Sequence, residues 1–488
     1  MVGIVSYAAY LPRYRLNRMT IFSAMGWLNQ ALIMNAAGEK AVAAFDEDAV
    51  TMAAAAGKRC LHGFKPDEVE ALYFATTTSP FKERQCANII AGALCIPEEI
   101  RSADFGGALK AGGSALLAAL EFSSANEGRQ ALTCAADCRL GKAGSLQEMF
   151  FGDGAAALLV GGEKPIALFK GAYSLSCDFV DQLRGAETIY NRQWEDRWIR
   201  DMGYEKLIPE VVTGLCRRHG LKPSDFAKVI YPCSYGGGRR NIERKLGLAP
   251  EQVENDLLQV SGDTGTAHPL LMFSRAFEEA SPGDKLLLVS YGNGCDALYF
   301  EVTPQIESFK DRKRFSDTLG QHAELDNYTK YLTWRGMIPV ELGLRGEEEQ
   351  VTRWSMTWRS RKAILGLQGS RCNKCGTQQY PPQRVCVNPG CGAIDEMEPL
   401  SLSNRGGKIV SYTSDMLAAT INPPAIYGNV DFNGGGRAMF EFADCTLEDL
   451  QVGGEVEFTF RIKYYDPKRD ITFYFWKAVP ATTEKEVS

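Results

Sequence analysis

The feature that most constrains this chain is an internal duplication. HGFKPDEVEALYF at residues 62–74 resembles HGLKPSDFAKVIY at 219–231. QALTCAADC at 130–138 corresponds to DKLLLVSYG at 284–292, and FGDGAAALLVGG at 151–162 to YGNGCDALYFEV at 291–302. Three matched pairs in the same order, offset by 140 to 157 residues, imply two copies of one supersecondary unit. Each copy alternates short apolar runs such as EALYFATT, AKVIYP and KLLLVS with helical periods at 48–60, 84–94, 111–122, 203–217, 238–246 and 268–280. That alternation predicts α/β architecture, with a mixed, largely parallel sheet covered by helices.

Beyond residue 303 the pattern changes. Residues 304–360 carry charge and tryptophan with little periodicity, and we expect a linker with helical pieces. GKIVSYTSDM, RAMFEFADC, EVEFTFRIKYY and ITFYFWKAV then read as short strands of a small β-barrel. The expected units are 1–165, 166–303, the linker 304–360, a cysteine-rich module at 361–395 and a barrel at 396–488.

The cysteine-rich module contains CNKCGTQQYPPQRVCVNPGCG, with Cys372 and Cys375 spaced C-x2-C and Cys386 and Cys391 spaced C-x4-C. Two close thiol pairs can wrap a tetrahedral ion, and four thiolates with none spare make a closed, structural zinc site. Iron in a rubredoxin-like site is the rival.

A net charge of −6 among 488 residues argues against a general nucleic-acid binder. No apolar run reaches the roughly 18–20 residues of a membrane span, and no secretion signal opens the chain, so the expectation is no nucleic acid and no membrane. Fourteen cysteines in that setting point to a reducing, cytoplasmic location.

FGGALKAGGSAL, FGDGAAALLVG, GDTGTAHPLL and ASPGDKLLLVSYGNGCDA together resemble the thiolase superfamily, nearest its HMG-CoA synthase and ketoacyl-synthase branch. Residues 361–482 resemble the zinc-ribbon and OB-fold domain found beside such proteins, here fused. The resemblance implies a duplicated five-layer thiolase-like fold with a C-terminal zinc ribbon and OB-type barrel. It also implies a coenzyme A thioester substrate, and a homodimer or a hetero-oligomer with a thiolase-type protein.

In that family the strand-turn-helix of the first half presents a cysteine that takes the acyl group from CoA. The matching stretch here is Ala108-Leu109-Lys110-Ala111-Gly112, so the nucleophile position holds Leu109. The family's glutamate falls near Thr78, its histidine near Pro232, and its asparagine on Asp263. Leucine cannot carry an acyl group, so covalent synthase chemistry is not expected.

The remaining candidates are His268, which resembles the G-H-P histidine of thiolases, and Asp263 five residues earlier. His268 reads equally as a helix cap and Asp263 as a turn residue. Lys110, Cys233 and Tyr235 are expected to line the site; a surface lysine, an inert buried thiol and a core or rim tyrosine are the bland alternatives. The resemblance then implies an acyl-CoA-dependent enzyme that forms or cleaves a carbon–carbon bond through a thioester enolate, by aldol, retro-aldol or decarboxylating chemistry. Two other functions stay open: a non-catalytic scaffold paired with an active thiolase or synthase, and an acyltransferase with Cys233 or Cys95 recruited as nucleophile.

Overall fold

A computed structural model describes residues 1–309, 315–320, 322–347 and 353–481. The chain divides into two compact units. One comprises residues 1–44, 48–90 and 97–331, the other 45–47, 91–96 and 332–488.

The first unit is built on nine strands: β1 (Gly3–Tyr10), β2 (Val69–Ala75), β3 (Arg101–Phe105), β4 (Gln130–Asp137), β5 (Gly154–Gly161), β6 (Ala167–Ser176), β7 (Lys228–Ile230), β8 (Lys285–Tyr291) and β9 (Gly294–Val302). Their order is β7-β8-β9-β6-β1-β5-β4-β2-β3. The duplication read from sequence is visible strand by strand. β2, β4, β5 and β1 stand in the same order as β7, β8, β9 and β6. The β2/β4 and β7/β8 pairs are parallel, and the β4/β5 and β8/β9 pairs antiparallel. The halves meet where Gly3 and Ile4 of β1 pair with Leu168 and Ala167 of β6.

Helices complete five layers. α1 (Ala49–Cys60) covers the outer face of the first half and α3 (Glu205–His219), with α4 (Gly236–Leu246), that of the second. Between the half-sheets lie α2 (Ala111–Ala125) and α5 (His268–Glu279), each packed on strands of both. A helix squeezed between two sheets needs a thin face. A Cβ on Gly112 would lie 2.2 Å from the Thr266 carbonyl oxygen, and one on Gly113 2.3 Å from Ser290 Oγ, so the AGG start of α2 is a packing requirement. α1 begins with a reciprocal cap, in which Asp48 Oδ1 accepts from Thr51 N and Thr51 Oγ1 from Asp48 N.

In the second unit β10 (Gln368–Cys372), β11 (Gln378–Gln379) and β12 (Met397–Ser401) make a three-stranded ribbon. β13 (Gly407–Asp415), β14 (Ala425–Phe432), β15 (Arg437–Glu441), β16 (Glu455–Asp466) and β17 (Ile471–Pro480) follow in the order β15-β14-β13-β16-β17. An isolated parallel bridge between Phe442 and Ala478 links the two ends of this antiparallel five-stranded sheet. Phe432, Phe440, Phe458, Tyr474 and Trp476 are buried in it, so these aromatics fill a core. Residues 45–47 belong to this unit: Asp46 and Glu47 pair with the buried Arg461 at 3.4 and 2.8 Å, and Asp46 with Lys477 at 3.0 Å.

Candidate functional site

β3 ends in the turn Gly106–Lys110, and α2 starts at Ala111. Leu109 therefore stands where the helix opens, half-buried. Among the described residues neither the Leu109 N–H nor the Lys110 N–H has an acceptor, as expected for the first donors of a helix. The Gly292 turn runs close beside them. A Cβ at 292 would sit 2.8 Å from Leu109 N and 2.9 Å from Lys110 N, so any side chain there would cover both donors. Lys110 is held by Asp296, Nζ to Oδ1 3.3 Å, and Ser114 Oγ donates to the other carboxylate oxygen at 2.6 Å. The lysine is thus part of an ion pair buried at the base of α2.

Thr78 belongs to a threonine cage around a residue that motif reasoning missed. Asp137, the last residue of β4, is fully buried. Its Oδ1 accepts from Thr76 Oγ1 at 3.0 Å, Thr77 N at 2.7 Å and Oγ1 at 3.0 Å, and Thr78 N at 3.1 Å and Oγ1 at 3.0 Å. Its Oδ2 accepts from Thr266 N at 2.8 Å. One carboxylate therefore ties the loop after β2, where the family's glutamate would stand, to the GDTGTAHP loop of the second half.

Two residues on, Arg139 makes a second tie. Its Nη2 lies 2.7 Å from Asp263 Oδ1 and donates to the Asp263 carbonyl at 2.9 Å, while its guanidinium sits 4.0 Å from the Phe151 ring centroid. Burial alone would raise the Asp263 carboxyl; the Arg139 charge outweighs it and holds the group below the ordinary carboxylate range. Gly265 N also donates to Oδ1 at 3.0 Å, and among the described residues no donor is recorded on Oδ2.

His268 opens α5 and is buried. Its Nε2 lies 2.9 Å from the Asp256 carbonyl, so that nitrogen carries the proton, and Nδ1 accepts from Thr264 N at 3.3 Å or Oγ1 at 3.2 Å. Burial lowers its pKa against the opposing charges of Asp263 and Asp256, keeping the ring neutral. In this arrangement His268 fastens the loop, and it reaches a substrate only by releasing the Asp256 carbonyl.

The segment matching the missing histidine runs Tyr231-Pro232-Cys233-Ser234-Tyr235. Cys233 is buried, its Sγ 3.5 Å from the Tyr235 carbonyl, and burial pushes the thiol up to about 12. Tyr235 Oη donates to Asp196 Oδ1 at 3.1 Å. Cys95, the other thiol considered as a displaced nucleophile, groups with the second unit, where its Sγ contacts the Gly366 carbonyl at 3.3 Å. Sequence reasoning also passed over Asp181 and Tyr204, which share the neighbourhood of Tyr235. The available signal for Asp137 and Arg139 was a buried apolar strand ending in a lone aspartate, with an arginine two residues later.

In the ribbon, the sulfur atoms of Cys372, Cys375, Cys386 and Cys391 all lie within 4.8 Å of one another. Cys372 and Cys391 are 3.8 Å apart and Cys375 and Cys386 3.5 Å. A tetrahedral zinc with bonds of about 2.3 Å requires sulfurs about 3.8 Å apart, so the four residues fit that ion. Hydrogen bonding with Thr377 brings the Cys375 thiol down to about 6, toward the thiolate a metal needs.

Fold and turn define a thiolase-like protein, and the solved structures agree. The structure resembles MvaS in complex with 3-hydroxy-3-methylglutaryl coenzyme A, with a TM-score of 0.62 and 20% identity over 69% of this chain and 92% of that one. It also resembles 3-oxoacyl-[acyl-carrier-protein] synthase III from Aquifex aeolicus, with a TM-score of 0.55 and 19% identity over 62% and 100%. The hydroxymethylglutaryl-CoA synthase of Methanopyrus kandleri is 30% identical over 348 residues, 68% of this chain and 98% of that protein. That of Caldivirga maquilingensis is 31% identical over 350 residues, 70% and 99%. The chain belongs to the hydroxymethylglutaryl-CoA synthase family. Residues 366–395 match the ChsH2 rubredoxin-like zinc ribbon domain, so the chain joins that family's fold to a zinc ribbon.

Proposed function

We propose that this chain acts on an acyl-CoA thioester, making or breaking a carbon–carbon bond through a thioester enolate and without a covalent acyl-enzyme. The reaction classes are aldol cleavage, its reverse, or decarboxylation. The observation that carries this reading is Leu109 at the mouth of α2, with the thiol nearest in role, Cys233, buried and protonated. The turn keeps what an enolate needs. A thioester oxygen seated against the Leu109 and Lys110 N–H groups would gain two donors and the positive end of a 15-residue helix. Asp263 Oδ2 is the group that exchanges a proton with substrate, and Arg139, Asp137 and the neutral His268 hold its loop in place. Thr78 lines the wall where the glutamate would stand, Lys110 and Asp296 the floor, and Tyr235 the rim.

A non-catalytic subunit paired with an active thiolase-type protein is the second reading, favoured by the full engagement of both His268 nitrogens. Intact-protein mass spectrometry after incubation with a panel of acyl- and 3-hydroxyacyl-CoAs, beside product and size-exclusion assays, separates the cases. Product without an adduct is expected. An acyl adduct on Cys233 would overturn the non-covalent reading in favour of a transferase. Neither product nor adduct, with a thiolase-type protein co-eluting, would favour the scaffold.

A further inference from the structure

Three tyrosine rings, Tyr204, Tyr235 and Tyr291, pack together, and Tyr204 lies within electrostatic reach of Asp263. Tyr204 is the last residue of a π-helical segment, Ile199–Tyr204, set against the start of α3. Such segments are uncommon and often mark functional sites. Its ring stacks on Tyr291 with centroids 4.2 Å apart and meets Tyr235 edge-on at 5.7 Å, so it has little freedom to move. Its hydroxyl lies within reach of Ser234, and the groups acting on it are Asp263, Cys233 and Asp181. These come from three separate loops. Ser234 and Cys233 follow the position of the missing histidine, Asp263 occupies that of the asparagine, and Asp181 follows β6. Through Tyr291, on whose ring it stacks, Tyr204 adjoins the Gly292 turn beside the Leu109 N–H.

Resting on the enolate reading above, we infer that Tyr204 is the proton donor to the enolate carbon, working with Asp263. The balance for cleavage of a 3-hydroxyacyl-CoA closes without a co-reactant. Asp263 Oδ2 takes the hydroxyl proton as the Cα–Cβ bond breaks, releasing an aldehyde or ketone and leaving the electron pair on the thioester enolate. Tyr204 gives its proton to Cα, and Asp263 returns the first proton to the phenolate. Burial and the Asp263 charge both favour the protonated phenol, so the donor is loaded at neutral pH.

The half-reaction is measurable with a simple probe. Acetyl-CoA and propionyl-CoA are incubated with the full chain in D2O, and deuterium at Cα is followed by mass spectrometry. We expect the wild type to exchange, and Tyr204→Phe to slow exchange by about 10²–10⁴-fold with its half-saturating concentration kept. Difluorotyrosine at 204 keeps ring and hydroxyl but lowers the phenol's pKa. It should move the alkaline limb of the exchange profile to lower pH, a response that packing alone would not produce and that stands even if Tyr204→Phe folds poorly. Unchanged exchange in Tyr204→Phe, or an unmoved limb, overturns the assignment and leaves the enolate reading intact. Absence of exchange in the wild type, together with absence of product from the 3-hydroxyacyl-CoA panel, overturns the enolate reading and this assignment with it.

Discussion

Replacing Asp137 by Asn tests the tie between the two halves at a single atom. Five donors point at Oδ1 and one, Thr266 N, at Oδ2. The amide will therefore place its oxygen at Oδ1 and its NH2 toward Thr266, donor against donor. The five retained bonds pass from charged to neutral acceptors, each falling from about 1.5–3 to about 0.5–1.5 kcal/mol, but they share one oxygen and cannot be summed. The Thr266 N–H loses its acceptor in a buried setting, which costs about 1–3 kcal/mol. A net loss of about 2–4 kcal/mol is the reasonable total, below the roughly 3–5 kcal/mol of stripping a buried charge of its partner. At about 2 °C per kcal/mol for a large domain, the transition of the first unit should fall by about 4–8 °C. Calorimetry reads the fall, and hydrogen exchange locates it: the Thr266 amide should lose protection while amides in β8 and β9 keep theirs. A transition within 1 °C of wild type and an unaltered Thr266 amide would show that the carboxylate is not what couples the loops.

Two further outcomes check other parts of the chain. Elemental analysis should find one zinc per chain; Cys386→Ser should abolish it and deprotect the amides of 366–395, whereas iron at that stoichiometry would reassign the metal. His268 has a folded pKa below its ordinary value of about 6.5, so its contribution to stability is complete above that pH and lost as the pH falls below it. Melting temperature followed from pH 7 to 5 should decline less steeply in His268→Asn than in wild type, and parallel curves would refute the buried neutral imidazole.

The fold was legible because it is duplicated. A matched strand in one half vouches for its partner, and Gly-rich turns mark the same corners twice, so β2/β7, β4/β8 and β5/β9 could be paired from residues alone. The zinc ligands were equally legible, since C-x2-C and C-x4-C carry the geometry in their spacing. The site was less so. His268 was visible as a motif, but its saturation by Asp256 and Thr264 depends on a carbonyl twelve residues away in sequence. Asp137 and Arg139 were hidden because their meaning lies in their partners, loops 60 and 124 residues distant. Tyr204 was hidden by its helical surroundings, where an aromatic residue ordinarily means core.

What the substitutions have in common is chemical direction. On the reading proposed above, Leu109, the threonines near the glutamate position and Pro232 stand where a nucleophile, an acid and an imidazole would serve acyl transfer to a thiol. On that same reading the other features serve something else: the helix N-terminus with its N–H groups, the glycine beside them and a carboxylate locked by an arginine would stabilise negative charge on a thioester oxygen or move one proton. A chain drifting out of use has no reason to hold Asp263 between Arg139 and Gly265, or to satisfy a buried Asp137 with six donors at the seam of its two halves. Buried polar groups at that density are costly unless every partner is in place. The six donors on Asp137 and the pairing of Asp263 Oδ1 are the physical reason to look for enolate chemistry at this turn before looking for a partner that supplies a thiol.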